Sequence, residues 1–94
     1  MNAAFAIRFG ENLASHRESN HLSQEELGFR AELHRTAVGQ LERGERVPRA
    51  DTLVKLAGTL GIPVEALLQG LAWTPGTRAP GTMGVEPVNV QGEA

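Results

Sequence analysis

The chain has 94 residues, a formal net charge of -2 and no cysteine. That length supplies one small domain whose stability rests on a handful of buried leucines, and the lack of thiols excludes disulfides and thiolate metal sites. No window approaches the length of a membrane span, and the start MNAAFAIRFGENLASHR, with Glu11 early and no long apolar core, is not a secretory signal, so a cytoplasmic protein with no membrane partner is expected.

The first predicted element is an amphipathic helix carrying Phe5, Phe9 and Leu13 at four-residue intervals, with Ala6 and Ile7 adding to its apolar surface. Arg17 continues the same row and aims a long cation at the core. An unpaired buried charge is costly, so Arg17 needs an anionic partner, for which Glu42 is the candidate. Asn20 or His21 ends this helix in the left-handed conformation, Asn20 being the better suited.

Ser23 to Gly44 reads as a short helix, a corner and a second short helix. Ser23 and Glu26 have the spacing of a capping box, and Leu22 and Leu27 that of a hydrophobic staple. The inward stripe of Leu27, Gly28 and Ala31 breaks at Glu32 and restarts with Leu33, Val38 and Leu41, so the chain turns onto a new axis. Arg35, Thr36 and Gln40 fall roughly opposite Val38 and Leu41 and look outward. Phe29 is expected to be half buried on the first of these two helices.

Gly44 terminates the third helix and a charged loop, Glu45 to Arg49, surrounds Pro48. Leu53, Leu56, Ala57 and Leu60 give a fourth helix stopped by Gly61, with Ile62 suited to a Schellman-type contact. Pro63 opens a short fifth helix with Val64, Leu67 and Leu68 turned inward and Gly70 at its end. From Leu71 onward glycine and proline dominate, so residues 71–94 read as an extended tail in which Val85, Val88 and Val90 could support a short strand. Leu71 and Trp73 would be awkward in water, and either fold back on the helices or pack on a partner chain.

Five of the nine basic residues, Arg30, Arg35, Arg43, Arg46 and Arg49, lie between positions 30 and 49, opposed there only by Glu32, Glu42 and Glu45. A local basic face on an acidic chain is still an electrostatic footprint, because nucleic-acid binding works through phosphate contacts rather than net charge. His16, His21 and His34 are scattered without carboxylate support, so no metal is expected. Ser, Thr and His form no nucleophile arrangement and no phosphate loop occurs, so neither an enzyme nor a cofactor is expected.

The run LSQEELGFRAELHRTAVGQLERGERVP followed by DTLVKLAGTLGIPVEALL resembles the xenobiotic-response-element family of helix-turn-helix proteins, which includes lambdoid phage repressors and Cro. The likeness covers about positions 5 to 70 and rests on LSQEEL, the LERG helix end, the proline loop and the LxxLAxxLG helix in one order. It implies an all-α fold: a five-helix lambda-repressor-like DNA-binding domain over residues 1–70, with the helix-turn-helix at helices two and three, plus an extended Gly/Pro-rich C-terminal tail over 71–94.

The resemblance also implies roles. Arg35, Thr36, Ala37 and Gln40 match positions that reach base edges in the major groove. Gln24, His34, Arg43 and Arg46 match positions that hold phosphates, and Arg17 and Glu42 match a buried ion pair. The chemistry agrees, since Arg can address guanine O6 and N7, Gln adenine N6 and N7, and Thr or Ala a thymine methyl. Three features depart from the pattern. Glu32 stands where the turn usually has glycine, His34 where a serine or threonine N-cap is usual, and Arg49 likewise before the fourth helix, leaving Asp51 as a substitute cap.

The function expected is a sequence-specific, repressor-like transcriptional regulator that binds double-stranded DNA at a pseudo-palindromic operator. It would act as a homodimer assembled through Leu67, Leu68, Leu71 and Trp73. The competing class is a protein-interaction adaptor or antitoxin whose C-terminal tail, through GVEPVNV, binds a partner protein.

Overall fold

A computed structural model describes residues 3–77 and 80–85. In chain order the elements are α1 (Ala3–Ser19), α2 (Gln24–Ala31), α3 (Arg35–Glu42), α4 (Ala50–Leu60), α5 (Val64–Leu67), β1 (Leu71–Thr74) and β2 (Thr82–Val85). Phe9, Leu13, Leu27, Val38, Leu41, Leu56 and Leu67 are fully buried in one core. These residues sit on five different helices, so no helix completes an apolar cluster alone and the core forms only when the helices pack together. The four-residue row of α1 supplies Phe9 and Leu13 to it, with Phe5 stacked on Phe9 at 6.4 Å between ring centroids. Ile7 falls outside that row and is 51 % exposed, so it adds less to the apolar interior than its composition implied.

The helix ends show why the chain turns where it does. Ser23 and Glu26 form a reciprocal capping box at the start of α2, with both hydrogen bonds at 3.0 Å. Hydrogen bonding to Ser23, led by donation from its backbone N–H, holds the Glu26 carboxyl below its ordinary value. Helix α1 ends in a Schellman closure in which the Leu22 N–H donates to the Arg17 carbonyl and that of His21 to Glu18. The left-handed residue is His21, at φ 58, and not Asn20. Asn20 instead stays on the helical path, and its side-chain amide donates back to the His16 carbonyl at 2.9 Å, so the reversal falls one residue later. Gly61, at φ 70, closes α4 in the same way, with the Ile62 N–H reaching the Ala57 carbonyl at 3.0 Å.

The C-terminal segment corrects the all-α expectation. Residues 71–85 are not an extended Gly/Pro-rich tail but contain an antiparallel hairpin of β1 and β2, with Leu71 opposite Val85 and Trp73 opposite Met83. Strand alternation puts those four apolar side chains on one face, concentrating residues that look sparse when counted along the chain. The glycine and proline fall mainly in the connection between the strands, where they suit a turn. Gly81 is tied to this packing, since a Cβ there would collide with the Trp73 ring. Val88 and Val90 lie outside the described residues.

The hairpin does not stand alone, which a two-stranded sheet in water could barely do. Strand β2 lies against α1, and α1 also grips the chain where it leaves α5. The Asn12 side-chain amide donates to the carbonyls of Leu67 and Gln69 at 3.0 and 2.9 Å, and Arg8 Nε donates to the Gln69 carbonyl at 3.2 Å. Gly70, at φ 86, turns the chain into β1 directly beneath the Arg8 guanidinium.

Where α1 crosses the end of α3 the backbones nearly touch. A Cβ at Gly10 would lie 2.5 Å from the carbonyl oxygens of both Leu41 and Glu42. Neither oxygen can swing aside as a side chain could, so the helices would have to separate. Gly10→Ala is therefore expected to lower stability by about 1 to 3 kcal/mol, measured as the shift of the urea midpoint, although alanine is the better helix former.

Candidate nucleic-acid interface

The site is the outer surface of α3 with the parts that hold α3 in place. Arg35 and Thr36 are exposed, Ala37 and Gln40 half-buried, and Val38, Gly39 and Leu41 buried, so one side of this two-turn helix is core and the other is a polar ridge. The turn before α3 has the left-handed corner that usually takes glycine. Glu32 occupies it at φ 59, ψ 46, with the Leu33 N–H donating to the Gly28 carbonyl at 2.7 Å. Glu32 is exposed, so its side chain meets no obstruction and the cost is the backbone strain of a non-glycine residue, about 1 to 2 kcal/mol. Gly28 makes the tight corner possible, since a Cβ there would approach the Leu33 carbonyl oxygen to 2.7 Å.

His34 replaces the usual hydroxyl cap with an imidazole. Its Nδ1 accepts the Thr36 N–H at 3.1 Å, so the neutral ring carries its hydrogen on Nε2, which stays available as a donor. At the start of α4 Arg49 makes no side-chain cap, and Asp51 instead accepts the Thr52 N–H at 2.9 Å while pairing with the Arg49 guanidinium at 3.3 Å.

Beneath the ridge, three helices are joined at one carboxylate. Arg17 on α1 donates from Nε to Glu42 Oε2 at 2.6 Å and from Nη2 to Oε1 at 3.0 Å, a two-point pairing with the end of α3. The Gln24 amide, on the first residue of α2, donates to the same Oε1 at 2.9 Å. Arg17 also closes its own helix end by donating from Nη1 to the Leu22 carbonyl at 2.8 Å. The two charged side chains are only 13 % and 6 % exposed, so water competes weakly for either. Hydrogen bonding to Glu42 raises the Arg17 pKa above its ordinary value.

Arg43 and Arg46 are exposed beyond the end of α3. Arg43 pairs with Glu45 at 2.7 Å, and that hydrogen bond holds the Glu45 carboxyl below its ordinary value. Arg46 donates from Nη1 to Gln40 Oε1 at 3.1 Å. Leu67 is fully buried within the chain's own core, Leu68 and Leu71 are half-buried, and Trp73 is 58 % exposed. Phe29, expected to be half-buried, is 84 % exposed. Its position on α2 is the outward one between the buried Leu27, Gly28 and Ala31, so helical geometry leaves it no core to enter.

Sequence reasoning missed the Gln24 amide as a third donor to Glu42 and the Arg8 and Asn12 clamp on α5. The partners at and just beyond the end of α5 are the backbone carbonyls of Leu67 and Gln69, which every residue carries, so composition offers no cue to them. The four-residue spacing of Arg8 and Asn12 was the available signal.

An outward polar ridge on the second helix of a tight helix–corner–helix pair, braced from behind by a largely buried ion pair, defines a helix-turn-helix DNA-binding unit. The helix-turn-helix family pattern matches residues 13–67. The chain is 48 % identical over 63 residues to the control protein C.SmaI of Serratia marcescens, covering 65 % of this chain and 75 % of that protein. Among solved structures it resembles the restriction-modification controller protein C.AhdI of Aeromonas hydrophila, at a TM-score of 0.67 and 39 % identity over 68 % of this chain and 97 % of that one. It also resembles the P22 c2 repressor solved with a synthetic operator, at a TM-score of 0.62 and 29 % identity over 66 % and 94 % of the two chains. The chain belongs to the helix-turn-helix family, as a DNA-binding regulator of the Cro/CI-like class related to restriction-modification controller proteins.

Removing the shared carboxylate isolates a cation in the three-helix junction. Glu42→Ala should cost about 3 kcal/mol, the usual scale for stranding one partner of a buried pair. Arg17→Met combined with Glu42→Leu should recover much of that loss, and chemical denaturation of the single and double variants measures both.

Proposed function

We propose that the chain is a repressor-like, controller-type transcriptional regulator that acts as a homodimer and reads a pseudo-palindromic operator through the major groove. The observation that carries this reading is the exposed ridge of α3, with Arg35 and Thr36 at its solvent end and the cations Arg43 and Arg46 beyond its other end. In this reading Arg35 makes a two-point contact with guanine, Thr36 and the small Ala37 meet a base edge or a thymine methyl, and Gln40 reaches a further base. His34 through Nε2–H, Gln24 through its second amide hydrogen, Arg43 and Arg46 hold phosphates and set the register. The LSQEEL and LERG segments support the narrower relationship to the xenobiotic-response-element group.

We place the functional division at Gly70, with residues 1–70 as the DNA-binding unit and 71–94 as the segment that serves assembly. Two copies would set their recognition helices in successive major grooves, about one helical turn apart on one side of the duplex. The exposed Trp73, together with the half-buried Leu68 and Leu71 and the core residue Leu67, is the proposed contact between copies. The same apolar hairpin face is what a protein partner of the C-terminal segment would use. Residues 86–90, the later part of the segment on which that reading rests, lie outside the described residues.

Arg35→Ala should lower affinity for the specific site by about 1 to 3 kcal/mol and relax preference at one base pair. Arg43→Ala should weaken all sequences alike and flatten the salt dependence by about one phosphate contact. Fluorescence anisotropy over a salt series separates the two, and an Arg35→Ala protein that bound every duplex as its parent does would overturn the base contact. For assembly, Trp73→Ala should shift sedimentation from dimer toward monomer while leaving the thermal midpoint of the helices nearly unchanged.

A further inference from the structure

Resting on the reading that Gln40 faces a base edge, we propose that Arg46 is a specificity-determining residue. By engaging the Gln40 amide oxygen it turns that end away from the groove and presents the NH₂ end there, and so selects guanine over adenine at the base pair Gln40 meets.

The backbone brings the two residues together. Gly44, at φ 73, closes α3 by a Schellman reversal in which the Glu45 N–H donates to the Gln40 carbonyl at 2.9 Å and that of Gly44 to Leu41 at 3.2 Å. The reversal is packed against α1, since a Cβ at Gly44 would lie 3.0 Å from Ile7 Cα. The chain after Glu45 therefore runs back beside Gln40, and Arg46 Nη1 donates to Gln40 Oε1 at 3.1 Å. The carboxylate nearest Arg46 in sequence is already engaged, because Arg43 holds Glu45 at 2.7 and 3.3 Å.

The chemistry of the pair then fixes which way the amide points. A guanidinium carries five donors and no acceptor, so the end of Gln40 that faces it must be the carbonyl oxygen. The NH₂ group is left for the groove with both hydrogens. The two-point contact of glutamine with adenine uses both ends of the amide, the oxygen accepting from N6 and the nitrogen donating to N7. With the oxygen directed at Arg46, an adenine N6 amino group meets a second donor, whereas guanine offers two acceptors, N7 and O6, to the two N–H groups. An Arg46 that only gripped phosphate would change affinity without changing this choice.

The test is selection of bound duplexes from random pools by the full chain, by Arg46→Met, which keeps the aliphatic stem, and by Gln40→Ala. The parent should favour guanine over adenine at one position in each half-site by on the order of tenfold, a good hydrogen-bonding pair's discrimination. Arg46→Met should move that position toward adenine, and Gln40→Ala should level it. If Arg46→Met kept the guanine preference while Gln40→Ala erased it, the inference would be overturned and the groove-facing role of Gln40 would stand. If Gln40→Ala changed no position, or the parent enriched no sequence, the underlying reading of Gln40 would fall and the inference with it.

Discussion

The placement of the α3 ridge depends on one carboxylate shared by three helices. Glu42 receives two hydrogen bonds from Arg17 on α1 and one from Gln24 on α2, while itself ending α3. Two helices of eight residues each are too short to hold a relative orientation by their own propensity. Their geometry has to be imposed by tertiary contacts. A buried ion pair is a poor source of net stability, since desolvation consumes much of its Coulomb energy. Its directional hydrogen bonds suit it to another purpose, which is to pin one crossing of α1, α2 and α3 against close alternatives. Gly10 and Gly28 act on the same geometry sterically, by letting backbones approach where any side chain would force them apart.

Much of this was legible in the sequence because its signals are local and redundant. The Ser23–Glu26 capping box, the break in apolar spacing at Glu32 and the glycine at position 61 each mark an element boundary by the backbone group it satisfies. The cation at Arg17 stood in an apolar row, which demanded an anion, and the structure brings Glu42 to it. What was not legible depended on contacts between distant segments. The amide of Asn12 finds two carbonyls at the end of α5, and nothing in either segment identifies the other. The hairpin is legible only in part, through Val85 as a candidate strand residue and the option of folding back on the helices, and for a related reason. Its apolar residues acquire a common face only through cross-strand pairing, and its support from α1 is a tertiary fact. His21 and Phe29 show a finer failure, in which intrinsic preference pointed to a neighbouring residue or a deeper position and helical phase decided otherwise.

The departures from the usual family pattern at the turn have separate physical outcomes. Glu32 adopts the left-handed conformation and bears the strain, so the shape of the corner is kept although glycine is not. His34 keeps the capping bond by substituting a ring nitrogen for a hydroxyl oxygen. Arg49 loses the cap, and Asp51 satisfies the next N–H instead. At Glu32 and His34 the backbone geometry that aims α3 is kept by an unusual side chain, whereas at Arg49 and Asp51 the affected helix start is that of α4.

If the proposed function holds, the ridge of α3, and no other part of the surface, enters the duplex. The most direct measurement is backbone amide chemical-shift mapping of the isotope-labelled chain as a selected duplex is added. The largest changes should fall on residues 34–40, the start of α2 at Gln24 and the segment from Arg43 to Arg46, with the hairpin strands little affected. Changes centred on the strands of residues 71–85, with residues 34–40 undisturbed, would contradict the proposed function.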